Sequence, residues 1–216
     1  MSESKGDIKR TRASLVIMSR MDYEIARNVY ELLPAAGISD EDLSFLLGKP
    51  NTYFFALLNP TEKKKFKTAQ LDVLPTILNT PIRKIVPNKI SPGEIVKLHN
   101  TSRTVHDDKI VYRHTVEYID GSRSNVKPWT KKLVKGERRK KNPHLHEELI
   151  NLVHSGYFSP PKTALQIYLR LVEKSDLLFP PADLQKSLAV LSRKDGPESV
   201  LKTEIMNGCY WYVAKH

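Results

Sequence analysis

Apolar positions recur at helical spacing over the first ninety residues, change to a period of two in the middle, and return to helical spacing towards the C-terminus. Ile25, Val29 and Leu32 mark one face of a helix predicted from Met21 to about Leu33, with Pro34 and Gly37 ending it. Leu43, Leu46 and Leu47 mark a second, capped by Ser39 with Asp42 three positions on, a shorter-armed version of the usual capping box. Gly48 suits the left-handed residue after that helix. A third is predicted from Pro50 or Asn51, with Phe54, Leu57 and Leu58 inward, until Asn59 and Pro60 stop it. Leu71, Leu74 and Leu78 predict a helix over Thr68 to Leu78, and Thr80 followed by Pro81 starts a last short one.

From Glu94 the segments EIVKLH, KIVYRHTVEYI and SNVKPW read as strands, with Asp120-Gly121 as a hairpin turn. TKKLVKGERRKKNP then reads as a polar, basic connector. Helices are predicted at His144 to His154, Pro161 to Glu173 and Pro181 to Ser192, followed by a hairpin turning at Asn207-Gly208. Three helices and a hairpin follow the order of a winged helix. The expected fold is mainly α with small β elements, in four parts. These are a flexible arm (1–20), a five-helix head (21–90), a small antiparallel β meander with the basic connector (91–142), and a winged-helix-like module (143–216).

Charge sharpens this picture. The 216 residues carry a net +11, but residues 1–60 sum to −1, 61–90 to +5, 91–142 to +7 and 143–216 to zero. An excess confined to 61–142 favours a polyanionic partner, most simply nucleic acid; the alternative is a solvated basic linker. No apolar run approaches the roughly 20 residues that span a bilayer. The single cysteine, Cys209, forms no internal disulfide, and a cytoplasmic address is expected.

Residues 21–87 resemble the lambda-repressor-like (Xre-type) helix-turn-helix family, through Ile38-Ser39, Glu41, Leu43, Leu47-Gly48, Phe54 and Leu57 at that family's spacing. The resemblance implies that the helix after the glycine enters the major groove of DNA, so that Asn51, Thr52, Phe55 and Ala56 face the bases. Three positions depart from the family: Asp40 replaces a Gln, Pro50 a capping Ser, and Leu58 an acidic residue.

The implied function is double-stranded DNA binding by a bacterial-type transcriptional regulator. Lys49, Asn51, Thr52, Tyr53 and Phe55 would lie at the groove. Lys63, Lys64, Lys65 and Lys67 would grip phosphates, as would Lys131, Lys132, Arg138, Arg139, Lys140 and Lys141. Gln185 and Lys186 are possible groove contacts in the C-terminal module, which would otherwise pair subunits in a homodimer. Phe55, next to the inward Phe54, supports a different class: an adaptor using the helical head as a scaffold for a protein partner. RNA binding by the meander lacks an aromatic pair at the spacing of an RNA-recognition strand. No P-loop, dinucleotide fingerprint or complete metal-ligand set occurs, so neither an enzyme nor a cofactor is expected.

Overall fold

The computed structural model describes residues 9–62, 64–133, 142–174 and 179–215. The chain begins with β1 (Lys9–Ser19) and α1 (Arg20–Ala36). The short helices α2 (Asp40–Leu46), α3 (Tyr53–Leu57), α4 (Thr68–Leu71) and α5 (Leu74–Ile77) follow, then a 3-10 turn at Ile82–Lys84. Next come β2 (Ile95–Val105), β3 (Lys109–Glu117), β4 (Arg123–Asn125) and β5 (Trp129–Lys132). The remaining elements are α6 (Pro143–His154), β6 (Lys162–Thr163), α7 (Ala164–Lys174), α8 (Pro181–Leu191), β7 (Leu201–Met206) and β8 (Cys209–Ala214).

These elements form two units, residues 1–36 with 54–137 and residues 37–53 with 138–216. The mainly α fold with a five-helix head is therefore incorrect. Two antiparallel sheets, of five and three strands, organise the described chain, and α2 groups with the C-terminal elements. The N-terminal stretch also differs from the expected flexible arm: residues 9–19 are a strand paired along β2. Its partner lies far along the chain, so local spacing shows only a short apolar run, Leu15 to Met18.

In the first unit the sheet runs β1-β2-β3-β4, and β5 pairs with β3 beyond β4. A register shift between His99 and Ser102, with Asn100 at φ 53°, bends β2 against β3. One sheet face is core: Val96, Leu98, Tyr112, Val116 and Trp129 are buried, as are Tyr23, Val29 and Leu33 of α1. Polar bonds fix α1 against this face. Arg20 pairs with Glu94 at 2.7 Å. The Arg27 guanidinium donates to the Tyr118 hydroxyl at 3.1 Å, and that hydroxyl donates to Glu24 at 3.2 Å, Arg27 and Glu24 being paired with each other within α1 at 2.6 Å. His114 shares a 3.1 Å hydrogen bond with the Tyr23 hydroxyl, its ring edge-on to Trp129.

In the second unit Ser39 and Asp42 complete a reciprocal capping box on α2, satisfying backbone N–H groups that a helix start leaves open. Leu43, Leu46, Leu149, Ile167, Leu171, Leu184 and Leu188 are buried. Strand order is β6-β8-β7, and Asn207 and Gly208 take the positive φ values of 53° and 70° that a two-residue hairpin turn requires.

Candidate nucleic-acid interface

Side chains of paired residues in an antiparallel sheet point to the same side and successive ones alternate, so the regular strand β3 and its pairing partners sort into two faces, read along β3 across the register shift in β2. The face opposite the core carries successive rungs. Ile17, Lys97, Glu117 and Arg123 share one, and Leu15, His99, Thr115 and Asn125 the next. Arg12, Ser102 and Arg113 share a third. Beyond it, Thr104, Val111 and Thr130 align, followed by Lys109 opposite Lys132.

The two ends of this face differ in electrostatics. Glu117 gathers three partners: Arg123 at 2.5 Å, Lys97 at 3.3 Å and the His99 ring at 3.1 Å. The hydrogen bond from Arg123, with that from Lys97, holds its carboxyl below the usual range. That end is internally compensated. At the other end Arg12, Lys109, Arg113 and Lys132 have no ion-pair partner among the described residues, and Arg12, Arg113 and Lys132 are exposed. Between them lie the small, buried side chains of Ser102, Thr104 and Val111. These three are shielded from solvent, so the accessible surface at this end is that of the cations, in the unit whose residues sum to +9 of the net +11.

The residues expected at a DNA groove have other occupations. Phe55 is only 4 % exposed and stacks on Tyr112 of β3 with ring centroids 4.7 Å apart. Phe54 is buried too, against Phe66 at 6.0 Å. A helix of five residues can wedge neighbouring rings into different parts of one core, so adjacency did not force Phe55 outward. Asn51 accepts a 2.6 Å hydrogen bond from the Gln185 side chain. Each of these polar groups is thereby used inside the second unit. Lys49 is buried, donating from Nζ to the Gly208 carbonyl and lying over the Tyr53 ring at 5.6 Å. Thr52 is exposed, Tyr53 half-buried, and Lys186 half-buried with its Nζ shielded from solvent.

The expected phosphate grips divide. Lys64 and Lys65 are exposed, pairing with Glu62 at 2.6 Å and Asp22 at 3.8 Å, and Lys67 is exposed. Lys131 is buried on the core face of β5, whereas its neighbour Lys132 stands on the open face. Lys63, Arg138, Arg139, Lys140 and Lys141 lie outside the described residues. Sequence reasoning missed Arg12, Lys109 and Arg113. Their signal was present: Lys109 and Arg113 keep the parity of one strand face, but clusters of consecutive lysines drew attention elsewhere.

Comparison with protein-family models, with curated proteins and with solved structures gives no match to this chain. Among the described residues no helix is long and apolar enough to cross a membrane, and no group of three His, Cys, Asp or Glu side chains could hold a metal ion.

Proposed function

We propose that this protein binds double-stranded DNA by its phosphate backbone, through the basic end of the five-stranded sheet. The observation that carries the reading is the set of four cations, Arg12, Lys109, Arg113 and Lys132, that share one sheet face without acidic partners among the described residues. Arg12 and Arg113 stand two strand spacings apart, about 10 Å, so their guanidiniums can engage separate phosphates. Lys64, Lys65 and Lys67 of the same unit add to the positive field that draws DNA in.

No Phe, Tyr or Trp side chain stands on the rungs of this face, and the one imidazole, His99, is hydrogen-bonded to Glu117, so stacking on unpaired bases contributes little there. That favours a duplex over a single strand. Phosphate contacts position a protein without reading sequence. The protein is thus a DNA-associated regulatory factor that acts in the cytoplasm without a helix in the major groove. The adaptor reading loses the residue that motivated it, since Phe55 is buried.

Titrating a labelled duplex and the matching single strand by fluorescence anisotropy tests this. The expected result is tighter binding of the duplex, with log affinity falling linearly with log salt by about 0.9 for each phosphate contact. Equal or better binding of the single strand, or affinity indifferent to salt, would overturn it.

A further inference from the structure

We propose that Lys97 and Arg123 form a second, latent phosphate-binding row on the same sheet face, and that Glu117 between them keeps it shut and confines DNA to the basic end. The proposal rests on the phosphate-binding reading above. Two rungs of the face are built alike. Arg12, Ser102 and Arg113 stand on three successive strands in one, and Lys97, Glu117 and Arg123 on three successive strands in the other. In each, the outer cations are two strand spacings apart, about 10 Å. Arg113 and Glu117 lie four residues apart on β3, about 13 Å, which is about four base pairs of duplex. A backbone seated on the first rung therefore runs within reach of the second.

The rungs differ in the middle residue. Ser102 is neutral and buried. Glu117 is a carboxylate with both oxygens engaged. Its Oε2 accepts from Arg123 Nε at 2.6 Å and lies 3.1 Å from His99 Nε2, while its Oε1 accepts from Lys97 Nζ at 3.3 Å. The acid is the least exposed of the three charged members, its side chain 13 % exposed against 47 % for Lys97 and 63 % for Arg123. The hydrogen bonds from Arg123 and Lys97 also keep it ionised at neutral pH.

A phosphodiester approaching Lys97 and Arg123 must compete with a carboxylate held on the strand between them, and it meets that carboxylate's charge as repulsion. Glu117 is thus a positioning residue. It does not touch the ligand, and it sets how far along the sheet the duplex is gripped. Replacing it by glutamine keeps the side chain's size and frees both cations for phosphate.

Two measurements on the full chain test this. Affinity for a labelled duplex is titrated against salt for wild type, Glu117→Gln and the triple variant Lys97→Gln/Glu117→Gln/Arg123→Gln. Glu117→Gln should bind more tightly, with a slope of log affinity against log salt steeper by up to about 1.8 for two added phosphate contacts. The triple variant should return to the wild-type slope. Lysine acetylation of wild type, read by mass spectrometry with and without the duplex, decides the matter whether or not Glu117→Gln folds. The duplex should protect Lys109 and Lys132 and leave Lys97 labelled equally in both. A slope for Glu117→Gln no steeper than wild type, a triple variant that keeps the steeper slope, or protection of Lys97 together with Lys109 and Lys132 would overturn the proposal and leave binding at the basic end standing. A wild type without salt-dependent duplex binding would instead overturn the reading beneath it, and this proposal with it.

Discussion

Arg12 of β1 and Arg113 of β3 occupy one rung of the sheet, each paired in register with Ser102 between them. Neither has an acidic partner among the described residues, unlike Arg123, which is bound to Glu117 at 2.5 Å. In the proposed function these two guanidiniums, separated by a small buried hydroxyl residue, clamp phosphate from a position set by the sheet and not by any helix. The account of function rests on this relationship.

Phe55 is expected to act on stability. Its ring stacks on Tyr112 in the core of the first unit, so Phe55→Ala removes a buried aromatic and should cost about 3–5 kcal/mol in urea unfolding. At a temperature where the variant remains folded, DNA affinity should be unchanged. A stable variant with weakened DNA binding would restore Phe55 to the interface.

Asn51 is expected to behave as a structural residue as well. Its carboxamide oxygen accepts from Gln185 at 2.6 Å, so Asn51→Ala should lose about 1 kcal/mol of stability and leave sequence preference in a random-site selection unaltered. A shift in the preferred base at one position would show that this side chain reaches a groove.

Gly48 takes φ +66°, and a Cβ there would stand 3.2 Å from the Cys209 Cβ and 3.3 Å from the Tyr210 carbonyl oxygen. Tyr210 also donates its backbone N–H to the Gly48 carbonyl at 2.9 Å. Gly48→Ala combines a left-handed backbone with a crowded side chain and should lower stability by more than about 1 kcal/mol. A melting temperature equal to wild type would contradict this packing.

Local features were legible in the sequence wherever they depended on near neighbours. The Ser39–Asp42 capping box, the left-handed Gly48, the turns at Gly121 and Gly208, and α6 and α8 all follow from residues a few positions apart. The sheet did not. β1 and β2 meet through pairs such as Ser19 with Ile95 and Arg12 with Ser102, and nothing local to residues 9–19 announces that partner. The candidate site was hidden for the same reason, because Arg12 and Arg113 become neighbours only once β2 lies between them. Phe55 misled through a rule for long helices applied to a five-residue one.

His114 should make stability depend on pH. Burial lowers its pKa from 6.5 to about 4, so it stays neutral in the folded chain while the unfolded chain takes up a proton below 6.5. Its contribution is fully present above pH 6.5 and is lost as pH falls from there towards 4, by at most about 3 kcal/mol. Glu117 titrates at lower pH, since its folded pKa lies below 4.5. Urea midpoints measured across pH 7 to 4 should fall for wild type and fall less steeply for His114→Gln. Parallel curves for the two proteins would assign the acid sensitivity elsewhere.

The most direct measurement is the salt dependence of duplex affinity for wild type and for the Arg12→Gln/Arg113→Gln double variant. Both side chains belong to exposed residues without ion-pair partners among the described residues, so each substitution should change stability by no more than about 0.5 kcal/mol and shift the melting temperature by no more than about 2 °C. The account predicts weaker binding to every duplex sequence, and a slope of log affinity against log salt that is shallower by up to about 1.8 for two lost phosphate contacts. A double variant that binds with the affinity and slope of wild type would contradict it, whatever the lysines elsewhere in the chain contribute.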